Sequence, residues 1–141
     1  MKKSLKTITS VICVLLIAIT SAISISAFAS TKASFVSIKP LGVNTTIGDV
    51  SKDFVQNYSS IFAKTSDSNY TLRVWVKDTT NSTTLSEKHS FTVNGTSTGH
   101  LIVYKSGVSY NVGDNIRFYG EQSGISSKGL TYVIYGDKAA I

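Results

Sequence analysis

Past residue 29 the chain has no cysteine, its single one being Cys13 in the apolar N-terminal stretch. That excludes a disulfide framework, on which small exported domains often rely. The fold must be held by its core alone. Basic residues never gather in a cluster of four or more, which excludes the concentrated positive patch of a nucleic-acid footprint. There are only two histidines, His89 and His100, and neither stands in a metal-ligand spacing such as H-x-x-x-H. Nothing in the sequence calls for a cofactor. After residue 29 there is no long apolar run, and the C-terminus carries no apolar tail, so no second membrane anchor is expected.

What the first residues do have is an order. Lys2, Lys3 and Lys6 precede the wholly apolar run VICVLLIAI at 11–19, and Ala27-Phe28-Ala29 closes the segment. Charge, apolar stretch and A-x-A site in that order read as a secretory signal, expected to be helical and to be cut after Ala29. The competing reading is an uncleaved anchor, since a spanning helix needs about 20 mostly apolar residues. Thr20, Ser21, Ser24 and Ser26 count against it. Cys13 follows Ile12 inside the apolar run, which excludes a lipoprotein reading. The expected compartment is extracellular or the cell wall, with membrane contact only through the signal before cleavage. The Lys-rich start and the Lys, Asn, Ser and Thr bias suggest a Gram-positive bacterium.

Residues 30–141 are enough for one ordinary domain. Without Lys2, Lys3 and Lys6 the formal charge falls from +6 to +3, which fits ordinary solubility and mild attraction to anionic wall polymers. Five N-x-S/T sequons begin at Asn44, Asn57, Asn69, Asn81 and Asn94. In a chain this rich in Asn, Ser and Thr they arise by chance.

β-Branched and aromatic residues in short alternating runs, bounded by Gly, Asn, Asp and Ser, signal strands throughout. The clearest is YTLRVWVKD at 70–78. Alternation puts Tyr70, Leu72, Val74 and Val76 on a core face and Thr71, Arg73, Trp75 and Lys77 on the other. Further strands are expected at 33–39, ended by Pro40, and at 50–56, 59–64, 88–93, 100–105, 115–120 and 130–135. Phe91 and Val93 should face inward, with His89 on their side, and Asn94-Gly95 should turn. About seven short strands with turn signals between them predict an all-β, antiparallel sandwich.

Two segments echo each other: GVNTTIGD at 42–49 and GVSYNVGD at 107–114, spaced 65 residues apart. TLRVW at 71–75 and TYVIY at 131–135 are spaced 60 apart. In both octamers the Gly-Asp pair reads as a turn that opens the next strand. A true internal repeat and two independent turns are both open.

On these residues the chain resembles bacterial immunoglobulin-like extracellular modules. YTLRVWVKD at 70–78 followed by FTV at 91–93 is similar to their last two strands. VGDNIRFYG at 112–120 followed by GLTYVIY at 129–135 is similar to their second and third. The likeness covers about half of residues 30–141. It implies an immunoglobulin-like sandwich and a binding or spacer role, and supplies no catalytic residue. Because the late-strand pattern comes first, residues from about 97 could begin a truncated second module.

Chemistry is sparse. Ser106-Gly107 and Ser123-Gly124 lack the elbow context of a serine nucleophile. Asp49, Asp53, Asp67, Asp78, Glu87, Asp114, Glu121 and Asp137 mostly fall at expected turns, where acids are ordinarily solvated. Asp67-Ser68-Asn69 and the stretch from Asp78 to Asn81 are fragments of a calcium loop and no more. The surface feature that stands out is Trp75, between Arg73 and Lys77 on its face, with Tyr104, Tyr119 and Tyr135 as further aromatics if their strands adjoin. An exposed Trp among cations can stack on a sugar ring or anchor a partner; a cross-strand pair would be the structural alternative. The expectation is a non-enzymatic extracellular binding module whose partner is cell-wall polysaccharide or a surface protein. A self-associating matrix or coat protein is the alternative, and a small secreted enzyme or toxin comes last.

Overall fold

The computed structural model describes residues 30–137; the expected signal segment and its cleavage site lie outside the described residues. Nine strands are present: β1 (Thr31–Ile38), β2 (Thr45–Ser51), β3 (Tyr58–Lys64), β4 (Tyr70–Asp78), β5 (Thr83–Thr84), β6 (His89–Val93), β7 (Thr98–Val103), β8 (Asn115–Glu121) and β9 (Lys128–Tyr135). All pairings are antiparallel. Sheet A has the order β1-β9-β3-β7, and sheet B the order β2-β8-β4, with β5 and β6 both along the far side of β4. The expected antiparallel sandwich is what forms.

Burial drives it. On β4 the burial alternates as the sequence predicts: Leu72, Val74 and Val76 are 0 % exposed, while Arg73, Trp75 and Lys77 are half-buried on the opposite face. Ile38, Ile61, Ile102, Leu130 and Ile134 of sheet A meet Leu72, Val74, Val76, Ile116 and Phe118 of sheet B in one dry layer. Each such side chain contributes about 1.5–3 kcal/mol by leaving water. Between β5 and β6 the chain bulges. Leu85 and Ser86 both donate to the Val76 carbonyl, at 3.0 and 3.4 Å, and the Ser86 hydroxyl accepts from the Val76 N–H at 3.1 Å. The bulge drops Leu85 into the core and lets Ser86 bridge Tyr104 of the other sheet.

The strand order departs from an immunoglobulin sandwich, whose sheets run ABED and CFG. Here the first strand pairs with the last, and nearly every connection crosses from one sheet to the other. This is the double-sheet jelly-roll order, an eight-stranded scheme in which β5 and β6 serve as one interrupted strand. The idea of a second module from about residue 97 is corrected by the same pairing. β8 lies between β2 and β4, and β9 between β1 and β3, so the late strands complete the sandwich from within.

The echo of the two octamers dissolves halfway. Gly42 and Gly107 both take left-handed backbone angles, φ 71° and 79°, and both open crossings from an edge of sheet A to sheet B. After them the segments part. Gly113 sits in a turn at φ 93°, whereas Gly48 lies inside β2 after a bulge between Thr46 and Gly48. The strand expected at 50–56 is therefore corrected to Thr45–Ser51. Glycine is needed at 48 for close approach: a Cβ there would stand 3.0 Å from the Tyr132 hydroxyl and 3.1 Å from Ile134 Cδ1. The second echo pairs β4 of sheet B with β9 of sheet A, which have no equivalent places in the fold.

Candidate functional site

The outer face of sheet B carries most of the residues singled out by sequence. Register places Trp75 opposite Tyr119, Arg73 opposite Glu121 and Lys77 opposite Arg117. The Trp75 and Tyr119 rings stack with centroids 5.5 Å apart and planes 13° apart. On Trp75 sits a second neighbour, the Lys88 ammonium, 4.6 Å from the ring centroid. Lys88 and Arg73 then share Glu121, each with an N···O distance of 2.9 Å. Farther along, the Arg117 fork grips Asp49 through Nε at 2.7 Å and Nη2 at 2.9 Å. Bonding to Arg117 holds the Asp49 carboxyl below the ordinary carboxylate range, and bonding to Asp49 raises the guanidinium. Lys77 has no carboxylate within ion-pair distance among the described residues.

This face is a ladder of cross-strand pairs. The two pairs on Glu121 contribute about 0–1 kcal/mol each, and the aromatic pair about 0.5–1.5 kcal/mol beyond its buried area. Trp75 is half-buried, with Tyr119 and Lys88 both against its ring. A sugar ring can stack on it only after Lys88 swings away.

Tyr104 is not on this face, which corrects its place in the expected aromatic surface. It is 6 % exposed, its hydroxyl lies 2.6 Å from Ser59 Oγ, and burial pushes its phenol far up. Tyr104 continues the alternation of β7, where Ile102 is buried and Val103 exposed, and so points inward. Tyr135 belongs to the other sheet, edge-on to Phe62 with centroids 6.0 Å apart.

The outer face of sheet A escaped the sequence reading. Alternation opposite the buried Ile38, Ile61, Ala63, Ile102, Leu130, Tyr132 and Ile134 puts Ala33, Phe35, Phe62, Val133, Tyr135, Leu101 and Val103 outward together. Phe35 is 64 % exposed, Val103 43 % and Leu101 39 %. Phe35 lies across Gly129, where a Cβ would come within 2.9 Å of its ring. Among the outward positions of these four strands Lys64 is the only charge. At one end of the face a shallow groove of about 400 Å³ is lined by Lys64, Thr65, Ser66, Asp67, Gly95 and Thr131.

A third feature is also invisible in sequence. Lys52, just past β2, is 0 % exposed. Its Nζ lies 2.9 Å from the Tyr58 carbonyl, 3.0 Å from the Gly136 carbonyl and 2.5 Å from Asp137 Oδ1. The Tyr104 and Tyr110 rings close over it, with centroids 4.9 and 5.2 Å away. Burial lowers the affinity of this amine for its proton, against the pull of Asp137 and Asp53. Asp137 Oδ2 accepts from the N–H groups of Asp53 at 2.6 Å and Phe54 at 3.1 Å. Among the described residues Asp137 Oδ1 has no polar partner except Lys52.

His100 has a structural place. His100 stacks on Phe91 across the sandwich, centroids 3.6 Å apart and planes 13° apart, and burial lowers its pKa from the ordinary 6.5. The unfolded chain therefore takes up this proton first as pH falls. The expected result is a stability that declines below about pH 6.5, where carboxylates do not yet titrate. His100→Phe keeps the stack, and denaturant midpoints measured from pH 7 to 5 should lose that slope. Asp78, expected at a turn, is 0 % exposed and caps it: its Oδ1 accepts from Thr80 N at 2.8 Å and Asn81 N at 3.1 Å. Among the described residues no group of three or more His, Cys, Asp or Glu side chains comes together to hold a metal.

No protein-family model matches the chain, and no curated protein sequence does. Two solved structures share some of its shape. One is a family two carbohydrate esterase from Cellvibrio japonicus, 7 % identical, with a TM-score of 0.36 over 79 % of this chain and 35 % of that one. The other is the infectious bursal disease virus Gx strain, 14 % identical, with a TM-score of 0.31 over 79 % of this chain and 31 % of that one. The chain thus spans about a third of each, and likenesses this distant say nothing of activity.

Proposed function

We propose that the chain is an exported, non-enzymatic extracellular module that works by surface contact, assembling with a second copy of itself through the outer face of sheet A. The observation that carries this reading is the open row of Phe35, Val133, Phe62, Tyr135, Leu101 and Val103. Exposed contiguous apolar surface of this kind marks contact sites. The occupant follows from charge. With its ions confined to Lys64 and Asp67 at one end, the face has little to offer a charged polymer and is its own complement. A flat four-stranded face meeting its twin makes an isologous contact, packed as the two sheets of the sandwich already pack. β1 and β7, the edges of the same sheet, add unpaired backbone groups beside it. Light scattering of the full chain across concentration should show a dimer that grows in with protein. Phe35→Glu combined with Leu101→Glu should leave a monomer with an unchanged circular dichroism spectrum. A wild type that stays monomeric at its solubility limit would sink the reading.

A second reading, contact with cell-wall polysaccharide through sheet B, is favoured by the half-exposed Trp75 with Arg73, Lys77 and Lys88 around it. Retention on purified wall should then fall at least several-fold in Trp75→Ala, which removes the ring, and rise in Lys88→Ala, which uncovers it. Equal retention of both variants and wild type speaks against sheet B.

A further inference from the structure

We propose that Lys52 and Asp137 join through an amide bond between their side chains, formed by the folded chain itself with loss of water. The geometry supplies each part of that reaction. The Tyr58 and Gly136 carbonyls already accept from Nζ; once the amine is neutral they hold its two hydrogens, and its lone pair is left toward Asp137. Nζ stands 2.5 Å from Oδ1, one bond from the carbon it attacks. Asp137 Oδ2 already rests on two backbone N–H groups, those of Asp53 and Phe54. That is the arrangement that stabilises an oxyanion as it forms. Oδ1, bound to nothing else, is the oxygen free to leave.

The steps balance. In a site closed to water, with both side chains at most 2 % exposed, the ion pair passes its proton from Nζ to Oδ1, giving an amine beside a carboxylic acid. Burial already weakens the hold of Lys52 on that proton. Nζ then attacks the carboxyl carbon, and Oδ2 takes the negative charge. A proton moves from Nζ to the Oδ1 hydroxyl, the carbon–Oδ1 bond breaks, and water departs. The remaining N–H of the amide keeps one of the two carbonyls as acceptor. No oxidant, metal or second substrate enters. Holding amine and acid in contact replaces the encounter of two reactants, which is where such a reaction gains most.

The bond ties the end of β2 in sheet B to the residue just beyond β9 in sheet A. In a chain whose described residues hold no cysteine, it does the work of a disulfide: it closes the segment from 52 to 137 and stitches the two sheets together.

The test is the mass of the full chain, purified and unfolded. The wild type should be lighter by one water than its sequence requires. Trypsin should fail to cut after Lys52, and a digest should hold one branched species containing both Lys52 and Asp137. Asp137→Asn should reach the same final mass as wild type, because the carboxamide expels ammonia instead of water. Lys52→Arg and Asp137→Ala should keep their full masses. A wild-type chain of full mass, cut after Lys52, overturns the proposal, and that reading is valid whether or not any variant folds.

Discussion

Phe118→Ala is expected to lower the stability of the fold by about 3–5 kcal/mol, the range for emptying a buried phenylalanine site. Phe118 is 0 % exposed and sits on β8, the middle strand of sheet B. Its register partners are Gly48 on β2 and Val76 on β4. Gly48 has no side chain to move into the vacancy. A domain of this size has about 5–15 kcal/mol in total, and the variant therefore loses a large fraction. Urea unfolding followed by the fluorescence of Trp75 should show a much lower midpoint at an unchanged slope. Trp75→Ala, followed by circular dichroism, should cost less, because its ring is half in water and stacked on one neighbour strand. A smaller loss for Phe118 than for Trp75 would mean that the faces of β4 and β8 are exchanged.

How much of this could be read from the sequence depends on the range of the interaction. The alternation in residues 70–78 is a local signal and was sufficient for the core face of β4, since each side of that strand meets one kind of surroundings. β2 was misplaced because Gly48-Asp49 has the composition of a turn. Its glycine is there to let Tyr132 and Ile134 of the other sheet come close, and that demand is set some 85 residues away. The jelly-roll order was hidden for a similar reason: hairpin grammar predicts neighbours in sequence to be neighbours in a sheet, and here most of them lie in opposite sheets. Only β4, β5 and β6 keep to one sheet in succession, and that stretch is the one that most resembles the end of an immunoglobulin module.

The candidate sites divide the same way. Trp75, Arg73, Lys77 and Tyr119 came out on one face because each stands at an odd position in a clean strand. Tyr104 did not, because the alternation of β7 runs on past Val103 and puts it beside the buried Ile102 on the inner face. The apolar outer face of sheet A comes from four strands, each giving one or two outward residues that look unremarkable alone. Lys52 and Asp137 carry no mark of their partnership. A lysine after a strand and an aspartate near a C-terminus read as solvated charges until the topology brings the ends of β2 and β9 together.

That partnership gives the other large expected effect. Asp137→Ala should destabilise the protein by about 3–5 kcal/mol if the pair is purely ionic, since it strands a buried ammonium. It should cost at least about 4–5 kcal/mol through the amide, because opening a loop of this length frees the unfolded chain. The single variant shows that the tie matters and does not distinguish its nature. The double variant Lys52→Met with Asp137→Leu does. Replacing a buried ion pair by apolar side chains of similar volume is often neutral or favourable by about 1–4 kcal/mol, so an ionic tie predicts recovery close to wild type. A covalent tie predicts a double variant still about 4–5 kcal/mol below wild type, because what is lost is the constraint on the unfolded state and no packing inside the folded one restores it. Thermal unfolding of the three proteins side by side reads this out. Under the amide, the double variant rises above Asp137→Ala, whose stranded ammonium it removes, yet melts well below the wild type.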